Sequence, residues 1–266
     1  MKRFNLIKTA LMLAVTAMIA VGCTKPDDPN NGGDNNGGNG GGSNNNFHNG
    51  HEFVDLGLPS GTLWATCNVG ADQSYDHGYY FAWGETIPNK GVYTWANYKH
   101  AYYDGGFYDG YYHGNFCVIK YNYDPEHGNV DNLTVLEACD DAATTLWGGD
   151  WRMPTIEELR ELEDKCYPKI WTTQNGVEGA LYTGPNGNSI FLPATGYYND
   201  NHDDNYNSPT GGFYWSSTLC TRESYFARAA YFYVFSKWWD ETTADGEYYD
   251  NGSRFRGNCI RPVLKK

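Results

Sequence analysis

Apolar residues are nearly continuous over 10–21, scarce over 24–50, and from residue 51 onward arrive in short runs broken by Gly, Pro, Asn and Asp. The first run is shorter than the roughly 20 residues that a spanning helix needs. With Lys2, Arg3 and Lys8 ahead of it, it predicts a secretory leader over 1–22. Beyond residue 51, runs at 53–56, 62–66 and 79–83 predict antiparallel strands, the first two joined through Gly57, Pro59 and Gly61, where the chain must bend. Residues 98–123, dominated by Tyr, Gly, Asp and His, follow neither strand nor helix period and are expected to form a long exposed loop. A short helix is expected within 133–147. Asp140 and Asp141 serve it as helix-start charges rather than as a catalytic pair, because neighbours on a helix point apart. Further runs at 189–194, 213–218, 227–235 and 256–263 predict the remaining strands, and 196–212 a second long loop.

The helical period is clearest just after Pro154. Thr155 is placed to N-cap a helix and Glu158, three residues on, to complete a capping box. Ile156, Leu159, Leu162 and Cys166 share one face, while Glu157, Glu161 and Lys165 look outward, with Glu161 and Lys165 spaced for an ion pair. Tyr167-Pro168 ends the run. One main helix in the middle and closing strands late predict an α+β domain over 51–266 with long loops.

Composition adds a location. The apolar run ends in Gly22-Cys23, a small residue directly before a Cys, which looks like a lipobox whose acylated thiol at Cys23 becomes the mature N-terminus. Lys25, Asp27 and Asp28 resemble the acidic signal that sends such lipoproteins to the cell surface. Residues 23–50 are Gly, Asn and Asp with almost nothing to bury, so they predict a flexible tether with a reach of roughly 25 to 30 Å. The expectation is an outer-membrane lipoprotein, exposed at the cell surface and held to the membrane through its N-terminal lipid. Formal charge is −13, and removing the three basic residues of the leader takes it to −16. Such a surface excludes nucleic acid as a partner.

Candidate chemistry is sparse. No HExxH helix, GxSxG elbow or phosphate-cradling loop occurs, so no catalytic residues are assigned and the protein is read as a non-enzyme. Asp200, Asp203 and Asp204 in NDNHDDNYN are the calcium candidates, but the stretch fails the EF-hand register, and the expectation is that no cofactor is required. His77, His100, His113, His127 and His202 lie in polar stretches and are expected to be solvated. The most unusual region follows YWSST (214–218). Arg222, Tyr225, Trp238, Trp239, Asp240, Tyr248, Tyr249 and Arg254 bring together the residue types enriched at binding hot spots, and they are the expected contact residues for a protein or glycan ligand.

WGGDWRMPT followed by EEL (147–159), VDLGLPSGTLWATCNVGA (54–71), GPNGNSIFLPATGYY (184–198), YWSST and the closing IRPV (260–263) carry a resemblance to the major paralogous domain family first named from Fibrobacter succinogenes. That family is abundant in lipoproteins of the Bacteroidota and is related to the C-type lectin fold. The resemblance covers roughly residues 51–264 and implies a C-type lectin-like domain with a binding or adhesive role, without naming a ligand. It also implies that Cys220 and Cys259, beside two terminal strands, could be joined as a disulfide. Trp215 is followed by Ser216 and Ser217 where a calcium-dependent sugar site would want amide and carboxylate ligands. WRMPT with EEL also resembles a segment of the formylglycine-generating enzymes, whose closely spaced C-terminal cysteines this chain lacks. An enzyme of that kind and a structural or adhesive envelope component are the alternative readings. The position of the ring-rich C-terminal stretch resembles the variable region of diversity-generating retroelement targets, which would make it a diversified binding face.

Overall fold

The turn at Gly148-Gly149-Asp150 ties the start of the domain to its middle. Both glycines hold positive φ, 64° and 60°, a conformation that a side chain would strain. The turn sets Trp147 and Trp151 edge to face with ring centroids 5.1 Å apart. Trp151 Nε1 donates to the His48 carbonyl at 2.9 Å, and the His51 ring stacks on Trp147 at 3.7 Å. The computed structural model describes residues 46–88, 92–108, 111–199, 202–206, 208–221, 228–237 and 240–266. Of residues 107–108, 111–113, 202–206, 228–232, 236–237, 240–245 and 248–251 it describes the backbone alone. The leader, Cys23 and most of the expected tether lie outside the described residues. The folded unit nevertheless starts earlier than composition indicates, because β1 (Phe47–His48) lies inside the stretch assigned to the tether and pairs with β2 (His51–Asp55).

β3 (Thr62–Ala65) follows with all four residues buried. The expected strand at 79–83 does not form. Phe81 and Asn258 exchange backbone bonds at 3.0 and 3.1 Å and the Trp83 amide donates to the Arg254 carbonyl, so the backbone is satisfied by an irregular C-terminal segment rather than by a ladder. Residues 98–123 are not an exposed loop either. They form nested hairpins, β4 (Ala101–Tyr103) with β7 (Phe116–Val118) outside and β5 (Gly106–Tyr108) with β6 (Tyr111–His113) within. Ala101 faces Val118 with both buried and Tyr102 faces Cys117 with both exposed, a period of two that the density of Tyr conceals.

α1 (Ala142–Trp147) begins at Asp141, whose side chain accepts from the Thr144 amide at 3.0 Å. α2 (Ile156–Lys165) carries the expected capping box: Thr155 Oγ1 accepts from the Glu158 amide at 3.3 Å and the Glu158 carboxylate from the Thr155 amide at 2.9 Å. Ile156, Leu159, Leu162 and Cys166 are all buried, as their spacing predicts. Glu161 accepts from the Ser60 amide at 2.9 Å, so its partner is a turn across the domain rather than Lys165.

β8 (Lys169–Gln174) and β9 (Val177–Thr183) form a hairpin that no apolar run marks, although Asn175-Gly176, with φ of 47° and 85°, is the usual signal for a two-residue turn. β10 (Ser189–Pro193) is the expected buried strand. The second expected loop contains β11 (Tyr197–Asn199) paired with β12 (His202–Tyr206). β13 (Gly211–Leu219), β14 (Arg228–Lys237) and β15 (Asp240–Ser253) follow, and β16 (Val263–Lys265) closes the chain. Of the strand expected at 256–263 only its end is a strand, while Asn258 and Cys259 make single bridges to Phe81 and Tyr214.

The architecture is therefore mostly antiparallel β with few helices, of which α2 is the longest among the described residues. A four-stranded sheet runs β1-β2-β3-β16 and a six-stranded one β10-β9-β8-β15-β14-β13. Trp83, Trp147, Trp151 and Trp215 fill one core, and the buried face of α2 packs with Trp64, Leu192, Tyr214 and Val263 in another. Arg261, fully buried, bridges strands by donating to Asn68 Oδ1 and to the carbonyls of Ala65, Thr66 and Phe191 at 2.7 to 3.2 Å.

Candidate functional site

Three of the expected contact residues fall on the β14–β15 hairpin, which pairs from Arg228 opposite Ser253 to Lys237 opposite Asp240. Asp240, Tyr248 and Tyr249 lie on β15, with Tyr248 opposite Phe232 and Tyr249 opposite Tyr231. Arg222, Tyr225, Trp238 and Trp239 lie outside the described residues, the two tryptophans falling in sequence between the paired Lys237 and Asp240. The hairpin is rooted in the core: Tyr233 stacks on Phe213 at 4.4 Å, Val234 is fully buried, and Phe255 beyond β15 is buried as well.

Arg254 is not an exposed contact residue. It is 1% exposed, its Nη2 donates to the Tyr121 carbonyl at 2.8 Å and its Nη1 to the Lys120 carbonyl at 3.3 Å, and its guanidinium lies 5.1 Å from the centre of the Trp83 ring. Tyr121 holds a positive φ of 60°, so this two-carbonyl clamp fixes a strained turn. The Cys220–Cys259 disulfide is likewise not formed, and both thiols are buried and free. Cys259 sits beside Tyr214 in a parallel bridge, and Cys220 lies six residues further along. The irregularity between Trp215 and Leu219 shortens that path to the length of about four extended residues, which at about 3.3 Å each still places the two more than about 10 Å apart, beyond disulfide reach. Burial pushes the Cys259 thiol up to about 12.

A different group of side chains has the geometry of a site. Asp140, 3% exposed, accepts from Lys99 Nζ at 2.6 Å on Oδ1, and from Lys120 Nζ at 2.5 Å and the Tyr121 hydroxyl at 2.8 Å on Oδ2. Lys120 Nζ also lies 2.5 Å from Glu137 Oε2. His100 Nε2 stands 2.9 Å from the Gly84 carbonyl and 3.6 Å from Asp140 Oδ1. Burial by itself would raise the Asp140 carboxyl, but the hydrogen bonds from Lys120, Lys99 and Tyr121 outweigh it and hold the group below the usual carboxylate range. Burial opposes the charge on Lys120 too, and its bonds to Asp140 and Glu137 reverse that and raise it. Burial pushes Tyr121 up to about 12. Asp141 is the helix cap that the sequence implies, whereas Asp140 is the centre of this cluster.

Glu137, Cys139 and Asp140 bring ligand-type atoms within 4.8 Å of one another. The arrangement does not suit a cation, since both oxygens of Asp140 are taken and two ammonium groups adjoin it. Of the calcium candidates, Asp200 lies outside the described residues, and Asp203 and Asp204 lie on the backbone of β12, a strand where a loop was expected.

His100 is buried rather than solvated, and burial lowers its pKa, as it does those of His77 and His51. A histidine lowered on folding binds its proton more readily when unfolded. Its stabilising contribution is complete above the ordinary value near 6.5 and is lost as pH falls below it. Asp140, also lowered, adds a loss only below about 4. Glu85 and Asp141, raised chiefly by burial, act in the opposite sense from their ordinary range upward. The urea midpoint is therefore expected to drop between pH 7.5 and pH 5.5, and by less in His100→Gln. A midpoint that is flat or rises toward pH 5.5 contradicts this. No protein-family model matches the sequence, and comparison with curated proteins and with solved structures returns no match.

Proposed function

We propose that the protein is a lipid-anchored module of the bacterial outer surface, with a C-type lectin-like domain of the major paralogous type that binds a protein or glycan through its C-terminal hairpin without catalysing a reaction. One observation carries the reading. The segment rich in Trp, Tyr and Arg includes the β14–β15 hairpin, two strands of the six-stranded sheet, set between two buried parts of the framework, Phe213–Trp215 before it and Arg254–Val263 after it. Rings carried by a strand pair whose neighbours are fixed in the sheet would give contact area at low entropic cost. The Gly- and Asn-rich chain behind Cys23 would give the domain its distance from the membrane.

The test is a glycan and protein array probed with the leaderless domain, with and without chelator. For any ligand found, the combined Trp238→Ala and Trp239→Ala variant is expected to lose at least about tenfold in affinity, the cost of removing a hot spot, with the circular dichroism spectrum unchanged. Binding indifferent to those rings, or turnover of a substrate on the array, overturns the proposal.

A further inference from the structure

The cluster on Asp140 lies outside the contact hairpin and holds more than an ion pair needs. A lysine lies against a buried carboxylate, a second carboxylate stands on the same nitrogen, and two further donors cover the carboxylate oxygens. We propose that Lys120 and Asp140 become joined by an isopeptide bond that the folded chain forms itself. Lys120 Nζ is 2.5 Å from Asp140 Oδ2, and a carboxyl C–O bond is about 1.2 Å long. The nitrogen therefore lies no more than about 3.7 Å from the Asp140 carboxyl carbon, close to the range from which reacting atoms attack.

The remaining groups fall into the roles that the step requires. Glu137 Oε2, 2.5 Å from Lys120 Nζ, accepts a proton and frees the amine lone pair. Lys99 at Oδ1 stabilises the negative charge that develops when the amine adds to the carboxyl carbon. The Tyr121 hydroxyl at Oδ2 gives one proton to the departing oxygen and recovers one from the nitrogen as the amide forms, and the proton taken up by Glu137 completes the water and restores the carboxylate. One N–C bond forms and one C–O bond breaks. Two protons leave the nitrogen and depart with the oxygen as water, so an ammonium and a carboxylate become an amide with no oxidant or cofactor. The rings of Trp83 and His100 pack on that of Tyr121 at 5.1 and 5.5 Å beside the carboxylate, which limits the return of water. Lys99 is the less suitable nucleophile, because its side chain is 52% exposed against 26% for Lys120. The paired charges raise the barrier, but each chain reacts once, and a rate on the order of 10⁻⁴ s⁻¹ completes the bond within a day.

Lys120 is the only tryptic cleavage position between residues 100 and 152, which makes the bond readable by peptide mapping. The full chain, purified and digested after unfolding, is expected to give 100–152 as one uncleaved peptide lighter than its sequence by one water. Lys120→Arg is expected to abolish that species, and Glu137→Gln to slow its appearance at least about tenfold at 37 °C, both with an unchanged circular dichroism spectrum. Recovery of 100–120 and 121–152 at unmodified masses from the folded parent overturns the proposal. So does a water loss that persists in Lys120→Arg, which would place the dehydration at another residue.

Discussion

Replacing Arg261 with Met is expected to cost about 3–5 kcal/mol of folding stability, lowering the urea midpoint by more than about 1 M. The side chain is wholly buried and its donors go to four acceptors that carry no charge: Asn68 Oδ1 and the carbonyls of Ala65, Thr66 and Phe191. Two effects oppose each other. Burial disfavours the guanidinium charge and lowers its pKa, so an apolar replacement escapes a desolvation cost. Met offers no donors, however, and each buried acceptor left without one costs on the order of 1 kcal/mol or more, with the lost hydrogen bonds to a charged group above that. The acceptors come from β3, the turn after it and β10, so their loss loosens the joint between the two sheets. Arg261→Lys separates the terms, because it keeps a charge but cannot fork to four oxygens, and it should recover only part of the loss. A midpoint within about 0.3 M of the parent for Arg261→Met would show that the acceptors find other partners.

How much of this was legible in the sequence depended on how local the controlling interaction is. Thr155 and Glu158 satisfy each other three residues apart, and the face of Ile156, Leu159, Leu162 and Cys166 needs only the helical period, so α2 could be read directly. The β8–β9 hairpin had its signal in Asn175-Gly176, which counts of apolar runs pass over because Thr172, Thr173 and Gln174 dilute the strand. In residues 98–123 the residue that fills inward and outward positions alike is Tyr, which serves as either, so the alternation of β4 and β7 was invisible. The Asp140 cluster was illegible for a different reason. Its lysines lie 20 and 41 residues away along the chain, and only the fold brings them to one carboxylate. Arg254 read as a contact residue and Arg261 only as part of a closing motif, because nothing in a sequence shows that a turn or a strand end will supply carbonyls to a buried guanidinium.

Arg254→Met is the experiment that separates scaffold from contact face. The side chain caps the carbonyls of Lys120 and Tyr121 and lies over Trp83, so its removal leaves two buried acceptors without their donors and forfeits a desolvated cation–π contact of about 2 kcal/mol. An overall cost of about 2–4 kcal/mol is expected, read as a lower urea midpoint. The Trp83 amide still has the backbone carbonyl of residue 254 to donate to, so the β14–β15 root stays attached and folding is weakened rather than redirected. Ligand affinity, measured well below the melting temperature of the variant, should therefore match the parent within about twofold, whereas loss of Trp238 and Trp239 should do the reverse and weaken binding while leaving the midpoint in place. The crossed pattern is what a contact ribbon on an independent scaffold requires. Should Arg254→Met abolish binding while its midpoint stays at the parent value, the guanidinium must reach the ligand, and the division between buried frame and contact segment fails.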